Sequence, residues 1–372
     1  MKVAFLFKRD SHFKAVKSTA LRLCSQYNCE PTFIGIDSKY FPTDKVHSIV
    51  HIDIQDLTSL SKYNYVIACL GGYLLNHVIT ELRDTTTKVI SIFPGIVSHY
   101  QLDAFISRLN ADQVWLNSKA DLTLYKKICK IFKINNNGIL YGMSWLCLNS
   151  CNHTNLTLIK REESAIFFEQ TEIANNDSDK KKIVEAINKL VIANSSISFK
   201  YKIRDNTEDI YFLALRDYIN KMTNVEVVTE LSDSNISNAK YYLSISSSAL
   251  IEGLIEGKKS FIIDYKLMDL DSREFYKGSN IHLKNYKIPT SMQINPAWYD
   301  QRVGIPKQEV DLFSVGKNKI YVNSNQRSLS YIILKIIKLI PIYPKMAFLL
   351  KSKHKILGFQ KSLEYLSFNK NE

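Results

Sequence analysis

Tyr241-Tyr-Leu-Ser-Ile-Ser-Ser-Ser-Ala-Leu-Ile-Glu-Gly-Leu-Ile-Glu-Gly-Lys-Lys-Ser-Phe-Ile-Ile-Asp264 holds a strand, a polar turn, a short helix and a second strand in succession. Tyr241 to Ile245 is short, aromatic and aliphatic, which suits a buried strand. Ser246, Ser247 and Ser248 place three hydroxyls where a helix must begin, so the turn can cap that helix or hold an anion against it. Gly257 stops the helix, Lys258 and Lys259 complement its C-terminal dipole, and Phe261 to Asp264 returns as a parallel strand. The stretch is one βαβ unit, and its serine turn is a candidate phosphate seat.

Working outward, the same alternation fills the chain. Lys2–Phe7, Pro31–Ile36, Tyr63–Leu70, Lys88–Phe93 and Gln113–Leu116 read as strands of a first parallel sheet, with helices after the first, third and fifth. Polar loops end four of these segments: Lys8 to His12, Gly71-Gly72, Pro94 to His99, and Asn117 to Asp121, where Ser118 caps a helix running to about Phe132. In a parallel sheet such loops share the carboxyl rim, where α/β folds bind ligands. Beyond a polar stretch near residue 155, Ala165–Phe168 opens a second series. Asp177–Ala193 is its first helix, Ile197–Ile203 a strand, Ile210–Lys221 a helix and Val225–Val228 a strand. The expected organisation is α/β, with two Rossmann-like doubly wound domains facing a cleft. Residues 1–155 are expected to form the first domain, 156–325 the second, and 326–372 basic amphipathic helices.

Bulk properties narrow the classes. The 372 residues are 45% hydrophobic and 23% charged, as in a globular protein of two domains. A net charge of +13 implies an anionic partner. Nucleic acid is not favoured, because the lysines are spread along the chain without a nucleic-acid motif. The six cysteines sit mostly in apolar elements, which fits a cytoplasmic protein better than a disulfide scaffold. Cys147 and Cys151 near His153 lack a second pair to complete a zinc site. From Tyr331 onward eight lysines stand against two glutamates around apolar runs, so the tail can pack on the core or lie peripherally on an anionic membrane surface. No Gly-x-Gly-x-x-Gly follows the first strand and no Walker lysine loop is present, which removes the motif support for dinucleotide and NTPase readings.

In the order of its signposts the chain resembles bacterial B-type (GT-B) glycosyltransferases of capsule and lipooligosaccharide loci. The signposts are Asp10-Ser11, Phe93-Pro94-Gly95, Arg108 with Asp112 and Asn117-Ser118, Tyr141-Gly142, Lys202-Ile203-Arg204 and Ser246 to Glu252. More distantly, the serine turn is similar to the paired serines of bacterial sialyltransferases and Kdo transferases, which contact the phosphate of a CMP-sugar. Those families also carry a His-Pro dipeptide that this chain lacks, Lys202-Ile-Arg204 standing in the corresponding place. The resemblance implies transfer of a sugar from a nucleotide-sugar donor, CMP-sugar ahead of UDP- or GDP-sugar, to a glycan or lipid-linked glycan acceptor in capsule or lipopolysaccharide synthesis. Ser246, Ser247, Ser248, Lys202 and Arg204 then hold the donor phosphate, and Glu252 accepts from the ribose. Asp10 is the expected base for the acceptor hydroxyl, with His12 and His99 as alternatives. The expected chemistry uses no metal and no cofactor, because the serine turn and Arg204 can stabilise the leaving phosphate. A polyol-phosphate transferase and a non-enzymatic two-domain binding protein share the architecture and stand as alternatives.

Overall fold

The computed structural model describes residues 1–37, 49–146, 162–170, 176–204, 209–231, 236 and 238–318. The expected boundary near residue 155, Cys147, Cys151 and His153, and the tail from residue 326 lie outside the described residues. The chain divides into two compact units, Met1–Leu148 with Asp300–Glu372, and Asn149–Tyr299.

The first unit is built on a parallel sheet. Its elements in order are β1 (Val3–Phe7), α1 (Asp10–Tyr27), β2 (Pro31–Ile36), β3 (Ile49–Ile52), β4 (Tyr65–Ala68), α2 (Gly72–Glu81), β5 (Lys88–Ser91), α3 (Leu102–Ile106), β6 (Gln113–Leu116), α4 (Lys119–Phe132) and β7 (Gly138–Leu140). The strand order is β3-β2-β1-β4-β5-β6-β7 and every pairing is parallel. Central strands of such a sheet are covered on both faces, which is why β1 reads Val-Ala-Phe-Leu-Phe with all five side chains buried. Helix α4 starts where expected, the Ser118 hydroxyl accepting from the Asp121 N–H at 3.1 Å, and ends with Lys133 in the left-handed region. Strand β3 and the 3₁₀ turn Ile54–Lys62 were not expected from sequence. Both are short, and β3 is a half-exposed edge, so its apolar signal is weak.

The second unit holds β8 (Glu162–Phe168), α5 (Asp177–Ala193), β9 (Ser198–Lys202), α6 (Ile210–Ile219), β10 (Val225–Val228), β11 (Ala239–Ser244), α7 (Ala249–Ile255), β12 (Lys259–Ile262) and α8 (Leu270–Tyr276), with α9 (Pro296–Arg302) leading out of it. Its sheet is also parallel, in the order β10-β9-β8-β11-β12. The opening stretch is thus β11-α7-β12. Glycine is required at 253, where a Cβ would lie 2.5 Å from Ser260 Oγ and 2.6 Å from the Tyr242 ring, so α7 rides directly on the sheet. Lys258 is buried, not a solvated complement to the helix end; its ammonium lies 4.7 Å from the Tyr242 ring centre and 3.4 Å from Glu256.

The sequence reading carries the second domain to residue 325, whereas residues 300–318 pack on the first unit. The Met143 N–H donates to Gly304 O at 2.9 Å and the Lys307 N–H to Tyr141 O at 2.8 Å. Gln26 and Tyr27 bond the backbone of Val310 and Leu312, and Asp112 accepts from the Asn318 N–H at 2.6 Å. Among the described residues no helix is long and apolar enough to cross a membrane.

Candidate functional site

In each sheet the strand order reverses once, between β1 and β4 in the first unit and between β8 and β11 in the second. Doubly wound sheets open a crevice at the carboxyl end of that reversal, because the helices leave on opposite faces there. The candidate residues fall on these two rims.

On the rim of the second unit, β11 ends at Ser244, whose buried hydroxyl donates to Phe168 O at 2.8 Å and accepts from the Ser247 N–H at 3.3 Å. Ser247 in turn caps α7, its hydroxyl accepting from the Ala249 N–H at 3.2 Å, and its carbonyl accepts from Tyr276 Oη at 3.2 Å. Ser246 and Ser248 are half-buried, and Ser248 makes no side-chain capping bond. The turn therefore divides its labour: Ser244 and Ser247 fix it, and Ser246 and Ser248 present hydroxyls. Glu252 is half-buried in the first turn of α7.

Two strands away, β9 delivers Lys202 and Arg204. Lys202 Nζ donates to Ile203 O at 2.9 Å, and Arg204 is exposed. Their loop is held by a residue that sequence reasoning missed. Glu169, directly after β8, is 3% exposed and accepts from the Arg204 N–H at 2.8 Å, Tyr201 Oη at 3.1 Å and Arg216 Nε at 3.0 Å. Arg216 Nη2 also donates to Glu169 and, at 2.9 Å, to Arg204 O. The signal was available: an acid directly follows the apolar run Ala165-Ile-Phe-Phe168, and Arg216 is a lone cation in the apolar helix α6.

On the rim of the first unit the three predicted groups differ in setting. Asp10 is not in a loop; it opens α1 and is exposed. His12 is half-buried in the same turn, and its Nδ1 is buried without a partner. Burial first, and then the nearby charges of Arg9, Arg108 and Lys8, lower its pKa to about 4, so the imidazole is neutral at pH 7. His99 lies in the loop after β5, and its Nε2 stands 3.0 Å from Oδ1 of Asp121, which is 3% exposed. A buried carboxylate holding one ring nitrogen fixes the orientation of the ring.

Arg108 is the other residue whose role the sequence did not disclose. It is 3% exposed, donates to Leu70 O at 2.8 Å and to Ala104 O, and lies 4.0 Å from the centre of the Phe93 ring. Burial lowers its pKa to about 10, which leaves it charged at neutral pH. Asp-x-Asp triplets occur at Asp177–Asp179 and Asp269–Asp271, where they open α5 and α8, and Asp269 caps α8 by accepting from the Ser272 N–H at 2.6 Å. Among the described residues no group of histidine, cysteine and acidic side chains is placed to hold a metal.

Against known proteins, the family described as "Putative glycosyltransferase (DUF6716)" matches residues 30–303. Among solved structures the chain is similar to the S. aureus MnaA–UDP co-structure, with 11% identity and a TM-score of 0.54 over 76% of this chain and 84% of that one. It is similar as well to UDP-GlcNAc 2-epimerase of Methanocaldococcus jannaschii in complex with UDP-GlcNAc and UDP, with 11% identity and a TM-score of 0.53 over 76% and 88% of the two chains. At such identity the likeness is one of fold, two Rossmann-like domains of the GT-B kind. No curated protein matches the sequence.

Proposed function

Because the chain belongs to the family described as "Putative glycosyltransferase (DUF6716)", we propose that it moves a sugar from a nucleotide-sugar to a glycan acceptor, with the second unit binding the donor. The observation that carries the donor assignment is the rim at the β8/β11 reversal, where the half-buried Ser246 and Ser248 share the carboxyl edge with Lys202 and Arg204, on a backbone that buried Glu169 holds. A diphosphate or monophosphate leaving group needs donors and positive charge where its own charge develops. Ser246 and Ser248 supply hydroxyl donors, Lys202 and Arg204 the charge, and Ser247 keeps the turn in shape. Helix α7 has seven residues, so its dipole is a minor contributor. Glu252 accepts from the ribose.

The acceptor hydroxyl is activated by His99, with Asp121 holding the ring; this pairing supports His99 ahead of the exposed Asp10. The nucleotide is CMP by the serine turn, and UDP is its competitor, since structures of like fold hold UDP or UDP-GlcNAc. The acceptor is a surface glycan of capsule or lipopolysaccharide type, met at the inner face of the membrane.

Thermal-shift titration with CMP, UDP and GDP tests the donor assignment. One nucleotide raises the melting temperature of the protein, and the Ser246→Ala/Ser248→Ala double variant weakens its binding about tenfold, the loss of one or two hydrogen bonds to a charged group. Absence of binding by all three nucleotides removes the reading.

A further inference from the structure

Helix α4 carries different chemistry on its two faces. The buried face holds Asp121, the carboxylate that fixes His99. The outer face is lysine: Lys119, Lys126, Lys127 and Lys130 are exposed along the helix, and Lys133 is exposed at its C-cap. At about 3.6 residues per turn, steps of seven and four residues keep Lys119, Lys126 and Lys130 on one line, with Lys127 beside it. The stripe runs along a 14-residue helix, roughly 21 Å at about 1.5 Å per residue.

The fold does not balance this charge. Lys119 pairs with Asp300. Lys126, Lys127, Lys130 and Lys133 make no side-chain hydrogen bond, ion pair or ring contact among the described residues, and the one acid of α4 is the buried Asp121. On α5, by contrast, Lys180 pairs with Asp177 and Asp209, and Lys182 with Asp179. Like charges three or four residues apart on a helix repel. The helix dipole accounts for Lys130 and Lys133 at the C-terminal end, but not for Lys126 and Lys127 in the middle. An anionic partner outside the chain offsets that repulsion.

The residue types decide what kind of partner fits. The outer face of α4 has no arginine fork to grip a single phosphate and no aromatic ring to stack on a base. Lysines are point charges on flexible stems, suited to a diffuse, planar negative surface. The continuation of the chain points the same way. Asn137, just after α4, accepts from Tyr125 Oη at 2.8 Å and donates to the Leu109 and Ala111 carbonyls, and Asn318 donates to the same two. Residue 318 therefore lies by the C-terminal end of α4, and from Tyr331 the sequence carries eight lysines against two glutamates around apolar runs.

We propose that the lysine face of α4 is a docking surface for an anionic lipid bilayer. Each lysine near such a surface raises binding about fivefold. Contact through this face leaves the His99–Asp121 pair about one helix diameter from the lipid, on the order of 10 Å. The use of the surface, bringing a lipid-linked acceptor to His99, rests on the transferase reading; the surface itself does not.

The test is co-sedimentation of the full chain with vesicles of phosphatidylglycerol and phosphatidylethanolamine, and with vesicles of phosphatidylcholine alone, at about 0.1 M and about 0.5 M salt. The expected result is binding to the anionic vesicles that weakens at the higher salt, and none to phosphatidylcholine. Lys126→Ala/Lys127→Ala/Lys130→Ala keeps the melting temperature of the parent and lowers binding on the order of a hundredfold. Lys181→Ala/Lys182→Ala/Lys221→Ala, the same loss of charge on exposed residues of the second unit, binds like the parent. Parent-like binding by the α4 variant puts the contact elsewhere in the chain and overturns the proposal. So do an equal loss in the second variant, equal binding to phosphatidylcholine, and absence of binding to the anionic vesicles. Capture of single-stranded DNA through the same three lysines without vesicle binding overturns the lipid assignment in favour of a polyanion. UDP and CMP binding is measured on the same samples: its absence, with vesicle binding intact and lost in the α4 variant, overturns the donor assignment and bears out the surface.

Discussion

Arg216 and Glu169 form an ion pair beneath the donor rim, with Arg216 Nε 3.0 Å from Oε1 and the glutamate side chain fully buried. The pair joins three elements: Glu169 follows β8, Arg216 lies on α6, and both bond the backbone of Arg204 after β9. Removing one partner strands the other as a buried charge, a loss of about 3–5 kcal/mol. Arg216→Ala is expected to lower the unfolding free energy of the full chain, read from urea titration, by that order. Arg216→Lys keeps the charge but cannot bond Glu169 and Arg204 O at once, so it retains more stability while weakening nucleotide binding. A Lys variant with unchanged nucleotide affinity would separate this pair from the donor loop.

His99 and Asp121 predict a different signature. If His99 takes the acceptor proton, His99→Gln lowers turnover by about 10²–10⁴ while donor affinity, measured by nucleotide titration, stays where it was. Asp121→Asn removes the charge that orients the ring and is expected to lose activity in the same direction. Asp10→Asn is the control that decides between the two candidate bases; a full loss there with His99→Gln still active would return the role to Asp10.

The sequence disclosed the parallel sheets because central strands such as β1 and β4 are continuous apolar runs, and because Ser118 marks a helix start by its capping oxygen. It disclosed the serine turn but not its division of labour, since Ser244 differs from Ser246 only in pointing to Phe168 O. Glu169 and Arg216 were passed over, and Arg108 was named without a role, for one reason: each is a charged side chain in or beside an apolar run whose partners are distant in sequence. Glu169 and Arg216 are 47 residues apart, and Arg108 reaches Leu70 across 38. No local pattern encodes such pairings.

Gly304 gives a prediction about the returning segment. A Cβ there would fall 1.7 Å from Asn117 O, a backbone atom at the end of β6, and Gly142 facing it has a φ of +103° with Ile305 O 2.5 Å from where its own Cβ would be. Neither clash can be relieved by turning a side chain. Gly304→Ala is expected to detach residues 304–307 from Tyr141 and Met143 and to destabilise the first unit by several kcal/mol, on the order of the severe losses that backbone strain and lost packing produce. Faster proteolysis within residues 300–318, with the second unit intact, is the measurement; a variant as resistant as the parent would mean that the contact is dispensable.

His12 makes the stability of the first unit depend on pH in a stated direction. Its pKa is lowered from 6.5 to about 4 by burial and by Arg9, Arg108 and Lys8, so the folded protein resists the proton that the unfolded chain accepts. Above about pH 6.5 both states are neutral at this residue and the contribution to stability is full. As the pH falls from 6.5 towards 4 only the unfolded state gains the proton, and stability is lost throughout that window, by on the order of 3 kcal/mol in all. Below about 4 both states are charged and the loss is complete. Urea unfolding at pH 7, 6, 5 and 4.5 in a buffer without phosphate is expected to show this slope, and His12→Asn to flatten it. An equal slope in the parent protein and in His12→Asn would mean that another group carries the dependence.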